Sequence, residues 1–236
     1  MNWGAKEMLF SEYLSADFLL DGDLSKPVWA KAVRISFDRD AFCASLAYPS
    51  LETMVASRWT QSYLYLAFCC HYVRLHTFKD EDPSAERWQL WRRDVVEAFV
   101  SPHAEPTSRY YEFEVAPNNQ WIDLVVDLNA EPAPVHDMQW NSGFEHATKI
   151  DTIRQEWTVE MRIPMASMDA AHVEEGTEWR VNFYRADGED GQSGGEQKML
   201  SWMPMPLANA SFHQPASFGV LRFVRAEGEV KQGGRV

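Results

Sequence analysis

Glu156-Trp-Thr-Val-Glu-Met-Arg-Ile-Pro164 is the stretch on which the fold turns. Trp157, Val159, Met161 and Ile163 take every second position, with Thr158, Glu160 and Arg162 between them. Successive side chains of an extended chain point to opposite faces, so this is a strand with one apolar and one polar face. Trp179-Arg-Val-Asn-Phe-Tyr-Arg185 repeats the pattern, with Trp179, Val181 and Phe183 inward. Outward from these two, further strands are expected at 53–60, 63–70, 95–101, 110–115, 121–128, 144–150 and 218–224.

Helical signal is scarce. A helical segment is expected at Trp3–Leu14, a short turn at Met165–Asp169, and a brief helical or irregular piece at 85–91. Many short strands separated by turn residues predict an all-β fold, an antiparallel β-sandwich of jelly-roll type with few short helices. No repeat or linker divides the chain, so residues 1–226 are expected to form one domain, with a disordered tail at 227–236 and a flexible acidic loop at Asp187–Gly195.

The chain carries 35 acidic against 22 basic residues, a formal charge of −13. Binding to nucleic acid depends on clustered Lys and Arg that neutralise phosphates, so that partner is excluded. No run approaches the ~20 apolar residues that a membrane-spanning helix needs. Lys6, Glu7, Glu12 and Asp17 interrupt the apolar residues at the start, so no signal peptide is expected; a cytoplasmic protein or a trimmed secreted one would read alike. Cys43, Cys69 and Cys70 are expected to be free thiols, with one of the adjacent pair in the core.

Catalytic signatures are absent. There is no G-x-S-x-G elbow, no H-E-x-x-H, no zinc-like Cys/His spacing and no phosphate-cradling glycine loop. The seven histidines are scattered singly and are expected at surface or loop positions. A non-enzyme is the expectation.

Four segments in order resemble the family 9 carbohydrate-binding modules and their wider DOMON-like relatives. Leu19–Ala32 is similar to the family's opening, an Asp-Gly turn leading to a buried Trp, here Trp29. Ser62–Phe68 is followed by Trp88–Pro102, which holds a W-x-x-D-x-V-E-x-F core. The third segment joins 156–164 to 176–185. Ser201–Phe223 is similar to the closing run, with Ser201-Trp202 and a P-x-x-F-G-x-L stretch ending at Leu221. The resemblance implies a jelly-roll sandwich that binds a mono- or oligosaccharide, usually with calcium.

Carried over position by position, the resemblance makes Trp91 one aromatic of a sugar clamp, Phe212 the second, Glu97 the acid and Asn209 the amide. Phe212 stands where the family has a Trp. The family's Arg on the following strand is absent from Tyr110–Val115; Arg109 is a candidate for it, and Trp88 a second candidate aromatic. Asp21 and Asp23 are candidate calcium ligands. The chemistry suits a pyranose: an aromatic ring stacks on its C–H face, while forked polar groups take its hydroxyls. A rival reading is a haem- or other cofactor-binding DOMON-like domain, for which ten Met residues supply candidate ligands. Another is an interaction module whose sugar site has decayed.

Overall fold

The computed structural model describes residues 7–79, 82, 85–131, 135–137, 139–170, 172–190, 195–206 and 211–225. Strands dominate, running in the order β8-β7-β6-β5-β11-β13-β1-β3-β4-β10-β9, with β2 on β3 and β12 on β11. Their ranges are β1 Met8–Tyr13, β2 Arg34–Phe37, β3 Thr53–Trp59, β4 Tyr63–His71, β5 Val95–Ser101, β6 Arg109–Val115, β7 Trp121–Asp127, β8 Val135–Asp137, β9 Glu145–Asp151, β10 Glu156–Pro164, β11 Glu178–Gly188, β12 Gln197–Ser201 and β13 Gly219–Val224.

The expected sandwich is present. Trp157, Val159, Met161 and Ile163 of β10 meet Val96, Ala98, Val100, Phe113, Val181 and Phe183 of the β5–β6–β11 half in one central core. Arg185 crosses this core, held by the carbonyls of Leu51 (3.0 Å) and His71 (2.6 Å) and by Asp187 (2.7 Å).

Each half also buries its outer face. Outside β3 and β4, Trp29 from the helical turn α1 (Pro27–Ala30) packs on Ala56, Tyr65 and Ala67. Gly22 makes this cover possible. Its φ is +75°, and a Cβ there would lie 2.6 Å from the backbone of Thr148. The buried Glu160 ties the cover down, accepting from the amides of Asp21 and Gly22, from Lys26 and from the Trp29 indole N–H. Outside β5, β6, β7 and β11 a second apolar layer gathers Val95, Phe99, Tyr110, Leu124, Tyr184 and Phe212.

Three expectations are corrected. The segment read as helical at its start is β1, paired in parallel with both β13 and β3, so the sheet is not wholly antiparallel. The expected loop from Asp187 begins later, because β11 continues to Gly188 and pairs with β12. β2 and β12 give no clear alternation and went unread. The short turns at Met165–Met168 and Leu90–Arg92 are 3-10 helical, as expected. The tail at 227–236 lies outside the described residues.

Candidate functional site

The second apolar layer encloses a cavity of about 310 Å³, and three of the sequence-derived candidates, Trp91, Glu97 and Phe212, line it. Alternation along β5 explains the first step. Val96, Ala98 and Val100 face the central core, so Val95, Glu97 and Phe99 face outward. On β6, Tyr111, Phe113 and Val115 face inward, which turns Tyr110, Glu112 and Glu114 to the cavity side. Register completes the floor: Glu97 is directly opposite Glu114 on one side and Tyr184 on the other, while Phe99 is opposite Glu112.

Loops make the walls. The 3-10 turn at Leu90–Arg92 presents Trp91, whose carbonyl accepts from the Gln197 amide at 2.7 Å. Ala41 bonds to the carbonyl of Met199 and accepts from the amide of Met205, both at 2.7 Å, and so fixes the neighbouring Phe42 over the cavity. Phe212 stacks on Tyr184 (4.1 Å between centroids, 17°) and on Phe42 (5.9 Å, 20°). The Tyr184 hydroxyl donates to the Phe212 carbonyl at 3.0 Å.

The floor is acidic and dry. Glu97, Glu112 and Glu114 are 2%, 3% and 0% exposed, and one oxygen of each lies within 4.8 Å of the others. Glu97 Oε1, Glu112 Oε2 and both oxygens of Glu114 accept from no donor group, although Glu112 and Glu114 lie close enough to share a proton. Burial, then mutual repulsion, holds the Glu97 and Glu114 carboxyls well above the usual carboxylate range. Burial pushes Glu112 up to about 7. His213 sits beside them, its Nδ1 sharing a 2.6 Å hydrogen bond with the Tyr110 hydroxyl. Burial and the nearby His136 lower it to about 4, so both partners are neutral near pH 7.

The remaining candidates fall elsewhere. Trp88 is 40% exposed and abuts Trp91 edge-to-face at 4.8 Å, outside the cavity lining. Arg109 lies at the exposed start of β6, off the alternation that points Glu112 and Glu114 at the cavity, so it does not supply the missing Arg. Asn209 lies outside the described residues. Sequence reasoning missed Phe42, Gln197, Met199, His136 and His213 as lining residues. His213 lies on a loop, within the expectation of surface or loop positions, whereas His136 is on β8; both line the cavity, and no local pattern marks them.

Asp21 and Asp23 do not fit a calcium shell of six to eight oxygens. Asp21 lies 2.6 Å from Lys26 Nζ, and Asp23 lies 2.9 Å from Lys149 Nζ. Each also accepts a backbone amide two residues on. Asp23 and Lys149 belong to a second cavity of about 340 Å³ on the opposite outer face. That cavity is larger, but most of its charges are paired: Asp23 with Lys149, and Arg154 with Asp151 and Glu156, while Arg34 donates to the Trp29 carbonyl.

An aromatic-walled cavity on the outer face of a β-sandwich has the form of a small-ligand binding site. The profile of Carbohydrate-binding family 9 matches residues 46–223, and the chain belongs to that family of non-catalytic binding modules. A protein of Arthroderma benhamiae named "Extracellular protein" is 31% identical over 153 residues, 61% of this chain and 67% of that protein. Three solved structures share the fold. One from Bacteroides uniformis, assigned to carbohydrate binding, has a TM-score of 0.69 at 19% identity, covering 92% of this chain and 99% of that one. A family 9 module of Caldicellulosiruptor kristjanssonii in complex with cellotriose has 0.65 at 15% identity, covering 97% and 100%. The same organism's module in complex with glucose has 0.65 at 14% identity, covering 95% and 99%.

Proposed function

We propose that the cavity walled by Trp91, Phe42 and Phe212 is the carbohydrate site, with a sugar ring lying along Trp91 and its hydroxyl rim turned toward Glu97 and Gln197. The supporting observation is the convergence of Trp91 and Glu97 with Phe212, from a remote part of the sequence, on one cavity of about 310 Å³. That volume is at the lower end for small-ligand pockets, suited to one or two sugar rings rather than a long chain. Trp91 is the stacking surface. Phe212 backs the site, since its ring already stacks on Tyr184 and Phe42. The complexes of related modules with glucose and cellotriose make these the first ligands to try.

Calorimetric titration with mono- and disaccharides, glucose and cellotriose among them, is the test. Heat of binding that disappears in Trp91→Ala is expected. Silence across neutral and amino sugars alike overturns the proposal.

A further inference from the structure

Three carboxylates on one apolar floor need an explanation that a neutral sugar does not give. A buried carboxylate without a partner is costly, and proteins pair such groups or neutralise them. Glu160, on the opposite face of the same molecule, shows the ordinary solution: it accepts from two backbone amides, a lysine and an indole. Glu97, Glu112 and Glu114 have no such cover. Four of their oxygens accept from no donor group, and no Lys or Arg is among the described residues that line the cavity. None of the undescribed internal residues is a Lys or Arg either.

Glu97, Glu112 and Glu114 line a cavity whose other walls include the aromatic rings of Phe42, Trp91, Phe99 and Phe212. Aromatic faces and carboxylates attract the same kind of group, a cation carried on a hydrocarbon or ring body. A bare metal ion suits the carboxylates but not the space. The cavity is about ten times the ~30 Å³ taken up by a water molecule, and aromatic rings offer a hard cation no oxygen ligands.

From this we infer that the preferred ligand is a cationic amino sugar, a 2-amino-2-deoxyhexose or a short oligomer of such units, whose ammonium group sits among Glu97, Glu112 and Glu114 while its ring lies along Trp91. The inference rests on the carbohydrate site proposed above and names its substrate class. An ammonium has three donors and no acceptor; on entering it displaces the protons that the free carboxyls hold and so meets a floor of ionised acceptors. N-acetylation removes the charge and adds bulk, so the acetylated sugar is disfavoured.

The experiment is parallel calorimetric titration of the full chain with D-glucosamine, D-glucose, N-acetyl-D-glucosamine and calcium chloride near pH 7, where the amine is still largely protonated and Glu112 is about half ionised. Glucosamine is expected to bind at least tenfold tighter than glucose, with N-acetylglucosamine no better than glucose. In Glu114→Gln and Glu112→Gln the preference for glucosamine over glucose should shrink to threefold or less, with folding checked by circular dichroism. If either variant fails to fold, the wild-type ranking decides alone. Glucose binding as tightly as glucosamine overturns the inference and leaves the carbohydrate site standing. Binding of no sugar overturns both. Calcium binding that is lost in the Glu variants, with no response to glucosamine, overturns the inference in favour of a metal site.

Discussion

Glu97 on β5 and Glu114 on β6 stand directly opposite one another in an antiparallel ladder, and both carboxyls are buried. Like charges directly opposite in a sheet are destabilising even when exposed. Here burial strengthens the repulsion, which raises both pKa values, and the fold tolerates it on the floor of the proposed sugar site. Stability and the proposed recognition therefore oppose each other at these positions.

Glu114→Gln should leave the folded protein as stable as wild type or more so near neutral pH, because the amide keeps the shape and needs no proton taken up to stay neutral in a buried site. Glu160→Gln should do the reverse. It weakens a satisfied buried carboxylate and leaves Lys26 facing an amide, at a cost of about 3 kcal/mol. Urea unfolding of both variants beside wild type gives the comparison; a Glu114→Gln loss as large as that of Glu160→Gln would contradict it.

Glu112 gives a pH dependence of definite sign. Its folded pKa is raised from 4.5 to about 7, mainly by burial. Below about pH 4 the group is protonated in both states and contributes no difference. As pH rises from 4.5 toward 7, the unfolded chain releases the proton more readily, so stability falls and then levels off above 7. Glu112→Gln should therefore melt with wild type at about pH 4 and on the order of 5 °C above it at about pH 8. Melting curves at the two pH values decide; a gain at the acid end would reverse the assignment.

Trp91 is half-buried on a turn, whereas Trp157 is fully buried in the central core. Trp91→Ala should lower sugar affinity at least tenfold, about 1.4 kcal/mol, with little change in melting temperature. Trp157→Ala should cost about 3–5 kcal/mol of stability. Titration and thermal denaturation of the two variants separate the roles; a melting loss in Trp91→Ala equal to that of Trp157→Ala would make Trp91 a core residue.

The thiols give a simple check on burial. Cys43 is exposed, while burial pushes Cys69 up to about 11 and Cys70 up to about 12. A thiolate-selective reagent near pH 8 should modify one cysteine per native chain quickly and all three after denaturation. Rapid native modification of Cys70 would contradict the packing of β4.

Much of the sandwich was legible because half-buried strands write their two faces into the sequence. Residues 156–164 are the plainest case, with Trp157, Val159, Met161 and Ile163 all in the central core. β1 was misread because Leu9, Phe10, Tyr13 and Leu14 mimic helical spacing. As a strand it buries Ser11 as well as Leu9, and Ser11 is satisfied by Ser57 Oγ at 2.9 Å, a partner forty-six positions away. Trp91, Glu97 and Phe212 were reachable through family resemblance. The acidic floor was not: Glu97, Glu112 and Glu114 alternate with apolar residues as solvent-facing positions do. Only the segments bearing Phe42, Met199 and Phe212, brought over them from remote parts of the chain, turn that face into an interior.

β1 lies between β13 and β3, bonded in parallel to both. A strand from near the beginning of the chain thus waits for one from near its end before its outer rank of backbone groups is paired. Closing a loop of that length is entropically slow, and parallel pairing offers no hairpin to guide it. During synthesis β1 must remain an open edge until the closing strand has left the ribosome. The late-arriving β13 is then the piece that locks the two halves of the sandwich together, with Gly219 at its start seated against the Trp202 ring.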